Sequence, residues 1–176
     1  MNKIMAAAAA SILSSSVLAQ TFTLKSNELG GQFTRQQFAK DCSGTNISPE
    51  LHWEHAPAGT KAFAVTMHDL DAPTGSGLWH WVVYNIPASV TALTSDAGSL
   101  SKMNLPKGAV SGLTDVGVRG YYGPCPPAGQ LHRYIITVYA LKEPIQENEN
   151  TSAALTGFLL NNNSLAKASL LIYAQQ

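Results

Sequence analysis

Alternation of apolar and polar residues predicts that much of this chain forms β-strands. Residues 22–25 have the pattern of a first short strand. Along 62–69 the alternation places Asp69 on the same face as Phe63 and places His68 on the opposite face, because successive side chains of a strand point to opposite sides. The sequence therefore predicts a strand whose last residue presents a carboxylate at the strand end.

Three later segments also have strand character. Residues 78–86 are a run of aromatic and branched side chains that Pro87 ends, and they are apolar on both faces. Such a run is typical of a strand enclosed between two layers. Residues 132–141 form another strong strand, and residues 169–174 form the last one.

The segments between these strands are less regular. Residues 41–61 and 88–130 are rich in Gly, Pro and Ser, so we expect irregular structure in the first and mostly loop in the second. Thr151 or Ser152 is a suitable cap for a helix that runs to about Leu160. The pattern as a whole predicts a mainly β protein, most simply a β-sandwich with a little helix near the C-terminus.

Composition narrows the function classes. A length of 176 residues indicates one domain with a substantial core. Hydrophobic residues make up 45% and charged residues 12%, which argues against disorder. The formal net charge is zero, so no broad basic surface is implied and nucleic acid is not an expected partner.

The N-terminal 19 residues have the pattern of a cleaved signal peptide. Lys3 precedes an apolar stretch that extends to Leu18, and a small-x-small motif ends at Ala19. We expect cleavage between Ala19 and Gln20, which leaves residues 20–176 as a single domain in the periplasm or outside the cell. The apolar stretch is short for a membrane span. The alternative interpretation is a buried N-terminal helix.

Cys42 and Cys125 are the two cysteines of the chain. In an oxidising compartment an even number of cysteines indicates a disulfide, here between residues 83 positions apart. The alternative is two separate thiols, one of them buried. The prediction of a disulfide therefore depends partly on the prediction of export.

Three clusters contain the side chains most suited to binding or catalysis. They are the carboxylates of 68–73, the histidine between two tryptophans at 79–81, and the Pro/Gly loop of 123–134 that leads into His132 and Tyr134. Taken singly, each has an ordinary structural explanation. The carboxylates could fix a turn, the histidine could be a hydrogen-bonded core residue, and the loop could be only a loop.

Taken together and in this order, the clusters resemble the phosphatidylethanolamine-binding protein (PEBP) family, and in particular its bacterial YbhB/YbcL branch, often labelled Raf kinase inhibitor-like. The resemblance covers nearly all of the chain after residue 19. Its four blocks are Asn-Ile-Ser-Pro-Glu-Leu-His-Trp at 46–53, Asp-Leu-Asp-Ala-Pro at 69–73, Trp-His-Trp-Val-Val-Tyr-Asn-Ile-Pro at 79–87, and the Pro-Pro to His-Arg-Tyr block at 123–134.

The resemblance implies a fold and a site. The fold is a Greek-key β-sandwich of antiparallel sheets with peripheral and C-terminal helices. The site is a small pocket for a phosphate-like or carboxylate group, such as the phosphoethanolamine head group. The residues implied for the site are Asp69, Asp71, His80, Pro126, His132 and Tyr134, with backbone N–H groups around Cys125. Trp79 and Trp81 are suited to form an apolar wall that also attracts an ammonium group.

One residue departs from the family pattern. Leu70 stands where the family usually has proline. Because proline fixes its own φ and restricts the residue before it, Leu70 is expected to loosen the loop that orients Asp69 and Asp71. The Cys125 disulfide could compensate, since it lies in the pocket loop.

The expected mechanism of anion binding depends on the histidines. A carboxylate near an imidazole raises the imidazole pKa, so His80 or His132 would become a cation and donate a charge-assisted bond to a phosphate oxygen. Tyr134 would add a neutral donor. Binding would then weaken as the pH rises past the histidine pKa.

Three function classes follow. The first is a binding or regulatory protein without a cofactor, which in this family includes inhibitors of kinases or proteases; a homodimer is one oligomeric state that the resemblance allows. The second is an enzyme acting on small esters with the Asp, His and Tyr side chains, although no Gly-x-Ser-x-Gly motif is present. The third is a metal site built from His68, Asp69, Asp71, His80 and His132, which the strand parity of His68 weakens.

Overall fold

The computed structural model describes residues 20–101, 104–148 and 150–176. The predicted signal peptide lies outside the described residues. In the described part of the chain, no helix has the length and apolar character needed to cross a bilayer.

Eight strands and one α-helix make up the regular structure of the described residues, together with a 3₁₀ turn at Lys40–Cys42. The strands are β1 (Thr23–Lys25), β2 (Leu51–Glu54), β3 (Ala62–Asp69), β4 (Leu78–Pro87), β5 (Ala92–Leu93), β6 (Val110–Ser111), β7 (Leu131–Leu141) and β8 (Ser164–Gln175). The helix is α1 (Ala153–Asn163), and the Ser152 side chain accepts a hydrogen bond from the Leu155 N–H at its start.

These strands form two antiparallel sheets. The smaller sheet has the order β1-β2-β5, and the larger has the order β6-β4-β3-β7-β8. Strand β3 is central in the larger sheet, so its last residue, Asp69, lies opposite Leu78 of β4 and Tyr134 of β7. One end of three neighbouring strands therefore brings together residues that are distant in the sequence.

The main core lies between the two sheets. Trp53 of the smaller sheet and Phe63 of the larger one have ring centroids 5.2 Å apart, and Trp81 is fully buried in the same cluster. On the outer face of the larger sheet, a second cluster joins Val82 of β4 to Leu160 of α1. Strand β4 thus contributes to both clusters, which explains why its sequence is apolar on both faces.

Most predicted elements are confirmed, but one strand was missed and one strand boundary is corrected. A mainly β protein with two antiparallel sheets and little helix is confirmed, and β3 has the predicted bounds. The prediction of wholly irregular structure over 41–61 is wrong, because Leu51 and Trp53 alternate inward in the four-residue strand β2. The last strand is longer than predicted, since β8 begins at Ser164.

Candidate ligand-binding site

A cavity of about 300 Å³ opens where β3 ends and where β4 and β7 begin. Its lining combines apolar residues with a few polar ones: Asp69, Ala72, Pro73, Thr74, Leu78, His80, Val116, Tyr122, Cys125, Pro127, His132 and Tyr134. Five of the nine residues predicted for the site are in this lining, namely Asp69, His80, Cys125, His132 and Tyr134. Segments far apart in sequence therefore meet at one hollow.

Asp69 and His132 form a buried pair in the cavity wall. The Nδ1 of His132 lies 2.8 Å from Oδ2 of Asp69, and both side chains are about 95% buried. The other oxygen of Asp69 accepts a hydrogen bond from the Asp71 N–H at 2.9 Å. Because a carboxylate only accepts, Nδ1 of His132 carries the proton of this bond. The pair thus fixes the orientation of the His132 ring.

His80 lines the cavity and has an unpaired buried nitrogen. Its Nδ1 lies 2.9 Å from the carbonyl oxygen of Tyr122, and the residue is 2% exposed. A carbonyl oxygen only accepts, so Nδ1 carries a hydrogen. The buried Nε2 has no hydrogen-bond partner among the described residues. Burial lowers the pKa of His80, although the Tyr122 carbonyl and the charge of Asp69 oppose this effect.

His80 therefore differs from the sequence expectation of a cationic donor. The expectation considered only the nearby carboxylate, which raises a histidine pKa. In the structure the loss of hydration outweighs that attraction. Burial therefore disfavours the cationic form of His80, and in the neutral form the hydrogen on Nδ1 leaves Nε2 as an acceptor.

Tyr134 is the second lining residue with an unpaired buried polar atom. Its side chain is fully buried, and its hydroxyl lies near the Asp69 carboxylate and the Cys125 N–H but makes no hydrogen bond of standard geometry with the described residues. Burial and then the charge of Asp69 raise the pKa of the Tyr134 phenol. The phenol thus remains protonated and can donate. Its ring meets that of His80 edge-on, with centroids 5.2 Å apart.

The loop that carries Tyr122 and Cys125 is held from the N-terminal part of the chain. The Asn46 side chain donates to the Tyr121 carbonyl at 2.9 Å and accepts from the Gly123 N–H at 2.8 Å. Gly123 packs so closely that a Cβ there would lie 2.1 Å from the Gln37 carbonyl oxygen. These contacts fix the loop, and with it the Tyr122 carbonyl that orients His80.

The predicted disulfide between Cys42 and Cys125 is present, with Cα atoms 5.6 Å apart. It joins the 3₁₀ turn to the cavity wall, because Cys42 ends that turn and Cys125 lines the cavity. The loop is therefore fixed covalently as well as by hydrogen bonds.

Asp71 does not line the cavity. Its carboxylate binds the Arg133 guanidinium through two contacts, at 2.7 Å and 3.0 Å, and also accepts the Arg133 N–H at 2.7 Å. The Arg133 hydrogen bonds lower the pKa of Asp71 to about 2. Asp71 therefore connects the 70–77 loop to β7 through Arg133.

Trp79 lies outside the cavity, on the other face of the larger sheet. Its ring stacks on His68 at a centroid distance of 4.3 Å, next to Gly157 of α1. Trp79 and His80 are adjacent in a strand, so their side chains point to opposite faces. Since Trp81 is buried in the core, neither tryptophan provides the apolar wall that the sequence suggested.

Pro126, which was also predicted for the site, is not among the residues that line the cavity. It is buried, and its carbonyl accepts a hydrogen bond from the Gln176 side chain at 2.9 Å. The next residue, Pro127, lines the cavity instead. The Pro-Pro pair thus contributes one residue to a packing contact and the other to the wall.

Leu70 takes part in the pairing that follows the end of β3. Its N–H donates to the Arg133 carbonyl at 2.9 Å, which continues the pairing of β3 with β7 by one residue. A proline at this position would have no N–H to make this bond. This hydrogen bond opposes the loosening expected from the absence of proline, which stays a prediction.

The comparisons with known proteins agree with this architecture. Residues 23–175 match the family model described as phosphatidylethanolamine-binding protein. This chain belongs to the PEBP family. Over 161 residues it is 48% identical to the UPF0098 protein YbcL of Escherichia coli, covering 88% of each chain, and over 128 residues it is 51% identical to YbhB of the same organism, covering 72% of this chain and 80% of YbhB.

Solved structures of relatives have the same PEBP fold. The crystal structure of E. coli YbcL, described as a new member of the mammalian PEBP family, matches with a TM-score of 0.84 and 47% identity, covering 88% of this chain and 98% of that one. A PEBP homologue from Chlamydia trachomatis, described as putative, matches with a TM-score of 0.74 and 27% identity, covering 88% and 97%. The family resemblance inferred from the four sequence blocks is confirmed.

Two of the five residues proposed for a metal site, His68 and Asp71, lie apart from the other three in this PEBP chain. Asp71 is bound to Arg133, and His68 lies on the opposite face of the sheet from Asp69 and His80. Within residues 20–101, 104–148 and 150–176, no group of three metal-ligating side chains is suitably placed. The geometry thus gives the metal alternative no support.

Sequence reasoning missed two contributors to the site. Tyr122 orients His80 through its carbonyl, and Asn46 holds the Tyr122 loop. The sequence does not show which backbone carbonyl will accept a hydrogen bond, because every residue has one. Asn46 did leave one, because it begins the first of the four PEBP-like blocks.

The Asp71–Arg133 pair predicts a specific acid response. A carboxyl pKa lowered from 3.8 to about 2 adds stability above pH 3.8, and this stability is lost as the pH falls through about 2. In Asp71→Asn, we expect the free energy of unfolding to fall less between pH 4 and pH 2 than in the wild type. Urea unfolding at several pH values measures the difference, with the exposed Glu143→Gln as control. Parallel pH curves for wild type and Asp71→Asn would contradict the prediction.

Proposed function

We propose that this PEBP-family protein is an exported binding or regulatory protein whose cavity holds one phosphate-like or carboxylate group. The observation that carries the proposal is the pair of unpartnered buried polar atoms on two residues that line one cavity, Nε2 of His80 and the hydroxyl of Tyr134. Buried polar atoms in folded proteins nearly always have partners, because leaving one unpaired costs about 1–3 kcal/mol. A ligand that pairs both atoms recovers that cost.

The size and walls of the cavity support a small ligand. A volume of about 300 Å³ is at the lower end of the usual range for ligand sites. Apolar side chains, including Leu78, Val116 and Pro127, form much of the wall. Because such walls exclude water, each hydrogen bond made inside contributes more than it would on an open surface.

A protein target can present the same chemistry as a small ligand. An acidic or phosphorylated side chain carries the group that the cavity accepts, so inhibition of a kinase or protease remains within this proposal. Free phosphoethanolamine and a protein-borne phosphate would then compete for His80 and Tyr134. If the proposal holds, a target protein should displace a small ligand bound in the cavity.

The geometry favours binding over ester hydrolysis. The Asp69–His132 pair has the arrangement of an oriented base, but an acyl-transfer site also needs a nucleophile next to that base. Among the lining residues, Thr74 uses its hydroxyl to bond the Gly77 carbonyl, and Cys125 is in the disulfide. The cavity therefore has groups that bind and orient but lacks an available nucleophile.

The proposal of export has two supports. The first 19 residues have the signal-peptide pattern, and the protein contains a disulfide, which persists mainly in oxidising compartments. Expression of the full chain in a Gram-negative host, followed by cell fractionation and intact-mass measurement, tests the proposal. We expect periplasmic protein that begins at Gln20. Uncleaved protein confined to the cytoplasm would refute it.

Ligand binding should depend on His80. We expect phosphoethanolamine to bind the wild-type protein at pH 5.5 and to bind His80→Ala at least about tenfold more weakly, because the variant loses one of two buried partners. Isothermal titration calorimetry measures both affinities. His55→Asn is the matched control, since His55 is an exposed loop histidine in a left-handed conformation that asparagine tolerates.

Two results would refute the proposed function. One is no detectable binding of phosphate, phosphoethanolamine or acetate by the wild type. The other is equal affinity in the wild type and His80→Ala when circular dichroism shows both to be folded. A loss of binding in His55→Asn as large as that in His80→Ala would also count against the cavity as the site.

A further inference from the structure

We propose that a groove on the outer face of the larger sheet binds a small organic cation with a quaternary ammonium group, through the rings of Trp79 and Phe158 and the carboxylate of Asp115. This outer groove has a volume of about 650 Å³, and its lining also includes His68 and Asn161. Such a volume is within the usual range for small-molecule sites. The inference concerns a second site and goes beyond the function proposed above.

The outer groove and the ligand cavity lie on opposite faces of the same strands. His68 and Trp79 line the groove, whereas their chain neighbours Asp69 and His80 line the cavity. Successive side chains of a strand point to opposite faces, so the two hollows present different groups to a ligand. Two residues that the proposal does not use border both hollows, Thr74 and Leu78.

Two aromatic side chains of the outer groove are accessible to a ligand. Trp79 is partly exposed, and its ring stacks on His68 with centroids 4.3 Å apart. Phe158 projects from α1 and is 60% exposed. The helix approaches Trp79 closely at Gly157, where a Cβ would lie 3.1 Å from Cη2 of the indole. The groove therefore offers two π systems, and the faces of such rings attract cations, most strongly at tryptophan.

The charge of the outer groove favours a cation over an anion. Its lining contains the carboxylate of Asp115 and, among the described residues, no lysine or arginine. Oδ2 of Asp115 accepts the Trp79 N–H at 2.9 Å, which fixes the carboxylate against the strand that carries the indole. Burial lowers the pKa of His68, although the Ser76 carbonyl and the charge of Asp115 oppose this effect. At neutral pH, His68 therefore adds no competing positive charge.

The polar residue that α1 contributes is already engaged within the protein. The Asn161 amide donates to the Gly157 carbonyl at 2.8 Å, and its oxygen accepts from the Lys167 ammonium at 2.7 Å. Lys167 does not line the groove, and its ammonium lies 5.9 Å from the centroid of the Tyr139 ring. Asn161 therefore offers a ligand little hydrogen bonding.

The loop on the other side of the groove is paired in a similar way. The Thr74 hydroxyl donates to the Gly77 carbonyl, and Nε2 of His68 donates to the Ser76 carbonyl at 3.1 Å. A sugar or a peptide backbone needs several hydrogen-bond partners and would find few here. A quaternary ammonium has no N–H to satisfy, so two aromatic rings and one carboxylate are sufficient to recognise it.

The experiment compares choline with 3,3-dimethylbutan-1-ol, which has the same shape but a neutral carbon in place of the nitrogen. Titration of the wild-type protein at pH 7.5 is followed by NMR of the Trp79 indole N–H. We expect choline to bind at least about fivefold more tightly than the alcohol, because only the cation is attracted by the rings and the carboxylate. Equal affinities, or no effect of choline on the Trp79 signal, would overturn the inference.

Two variants with matched controls locate the binding site. Asp115→Asn removes the charge but keeps an oxygen that can accept the Trp79 N–H, and Phe158→Ala removes an exposed ring. We expect each to weaken choline binding at least about threefold. Glu143→Gln and Leu155→Ala change exposed residues outside the lining and should leave choline binding unchanged. Wild-type affinity in a folded Asp115→Asn variant would contradict the proposed site.

Inorganic phosphate separates this inference from the proposed function. Phosphate should bind Asp115→Asn as it binds the wild type, and choline should bind His80→Ala as it binds the wild type. Choline binding that is lost in His80→Ala and retained in Asp115→Asn would place the ammonium in the cavity and overturn the inference. Failure of phosphate to bind the wild type counts against the proposed function alone, because choline binding in the outer groove does not depend on it.

Discussion

Replacing Asp69 with alanine is expected to destabilise the protein by about 3–5 kcal/mol. The substitution leaves His132 buried without the carboxylate that accepts its Nδ1 hydrogen at 2.8 Å, and it also removes the acceptor of the Asp71 N–H. Breaking a buried pair costs more than the pair contributes, because the remaining group loses both water and its partner. Urea unfolding at pH 7 measures the change.

Two controls make the Asp69 result specific. Glu143→Gln removes an exposed carboxylate and should change the free energy of unfolding by less than about 0.5 kcal/mol. The double variant Asp69→Leu with His132→Phe removes both polar partners, so it should be less destabilised than the sum of the two single variants. A loss below about 1 kcal/mol in Asp69→Ala would show that the pair has little role in stability.

Removing the disulfide is expected to have the second large effect. In Cys42→Ser with Cys125→Ser, opening a loop of 83 residues should lower the free energy of unfolding by about 4 kcal/mol in the chain-entropy account. The same change releases the loop segment at position 125, which lines the cavity, from its covalent link. We therefore expect weaker binding of phosphoethanolamine as well as a lower melting temperature.

The disulfide prediction is checked by calorimetric melting of the variant and of the wild type with and without reductant. The reduced wild type should resemble the double serine variant, because both have lost the same covalent link. Equal melting temperatures of oxidised wild type and double variant would contradict the prediction. Unchanged phosphoethanolamine affinity in a folded variant would show that the hydrogen bonds of Asn46 hold the loop without the disulfide.

The strands were the part of the fold most accessible from sequence. Residues 62–69 alternate regularly, so β3 could be predicted with its bounds. Strand β2 was missed because only Leu51 and Trp53 signal it, within a stretch whose Gly and Pro indicate loops. Its conformation is fixed by packing of these two side chains into the core, which is information that no local pattern contains.

The sequence predicted which residues form the site better than it predicted their pKa values and hydrogen bonds. Asp69, His80 and His132 are brought together, and the family-like blocks were the signal. The sequence could have predicted that Trp79 lies away from the cavity, because a neighbour of His80 in a strand must face the other way. The lowered pKa of His80 and the hydrogen on its Nδ1 could not be predicted, since the first depends on burial and the second on a carbonyl oxygen 42 residues away.

The partners in the cavity wall are widely separated along the chain, as the 63 positions between Asp69 and His132 show. Closing such distances costs chain entropy that is recovered only when β3 pairs with β7. A peptide containing only the His80 segment would therefore have no hollow in which to hold a ligand. A ligand should therefore bind only to the folded domain and stabilise it. At 100 times its Kd, the ligand should add about 2.7 kcal/mol to the free energy of unfolding.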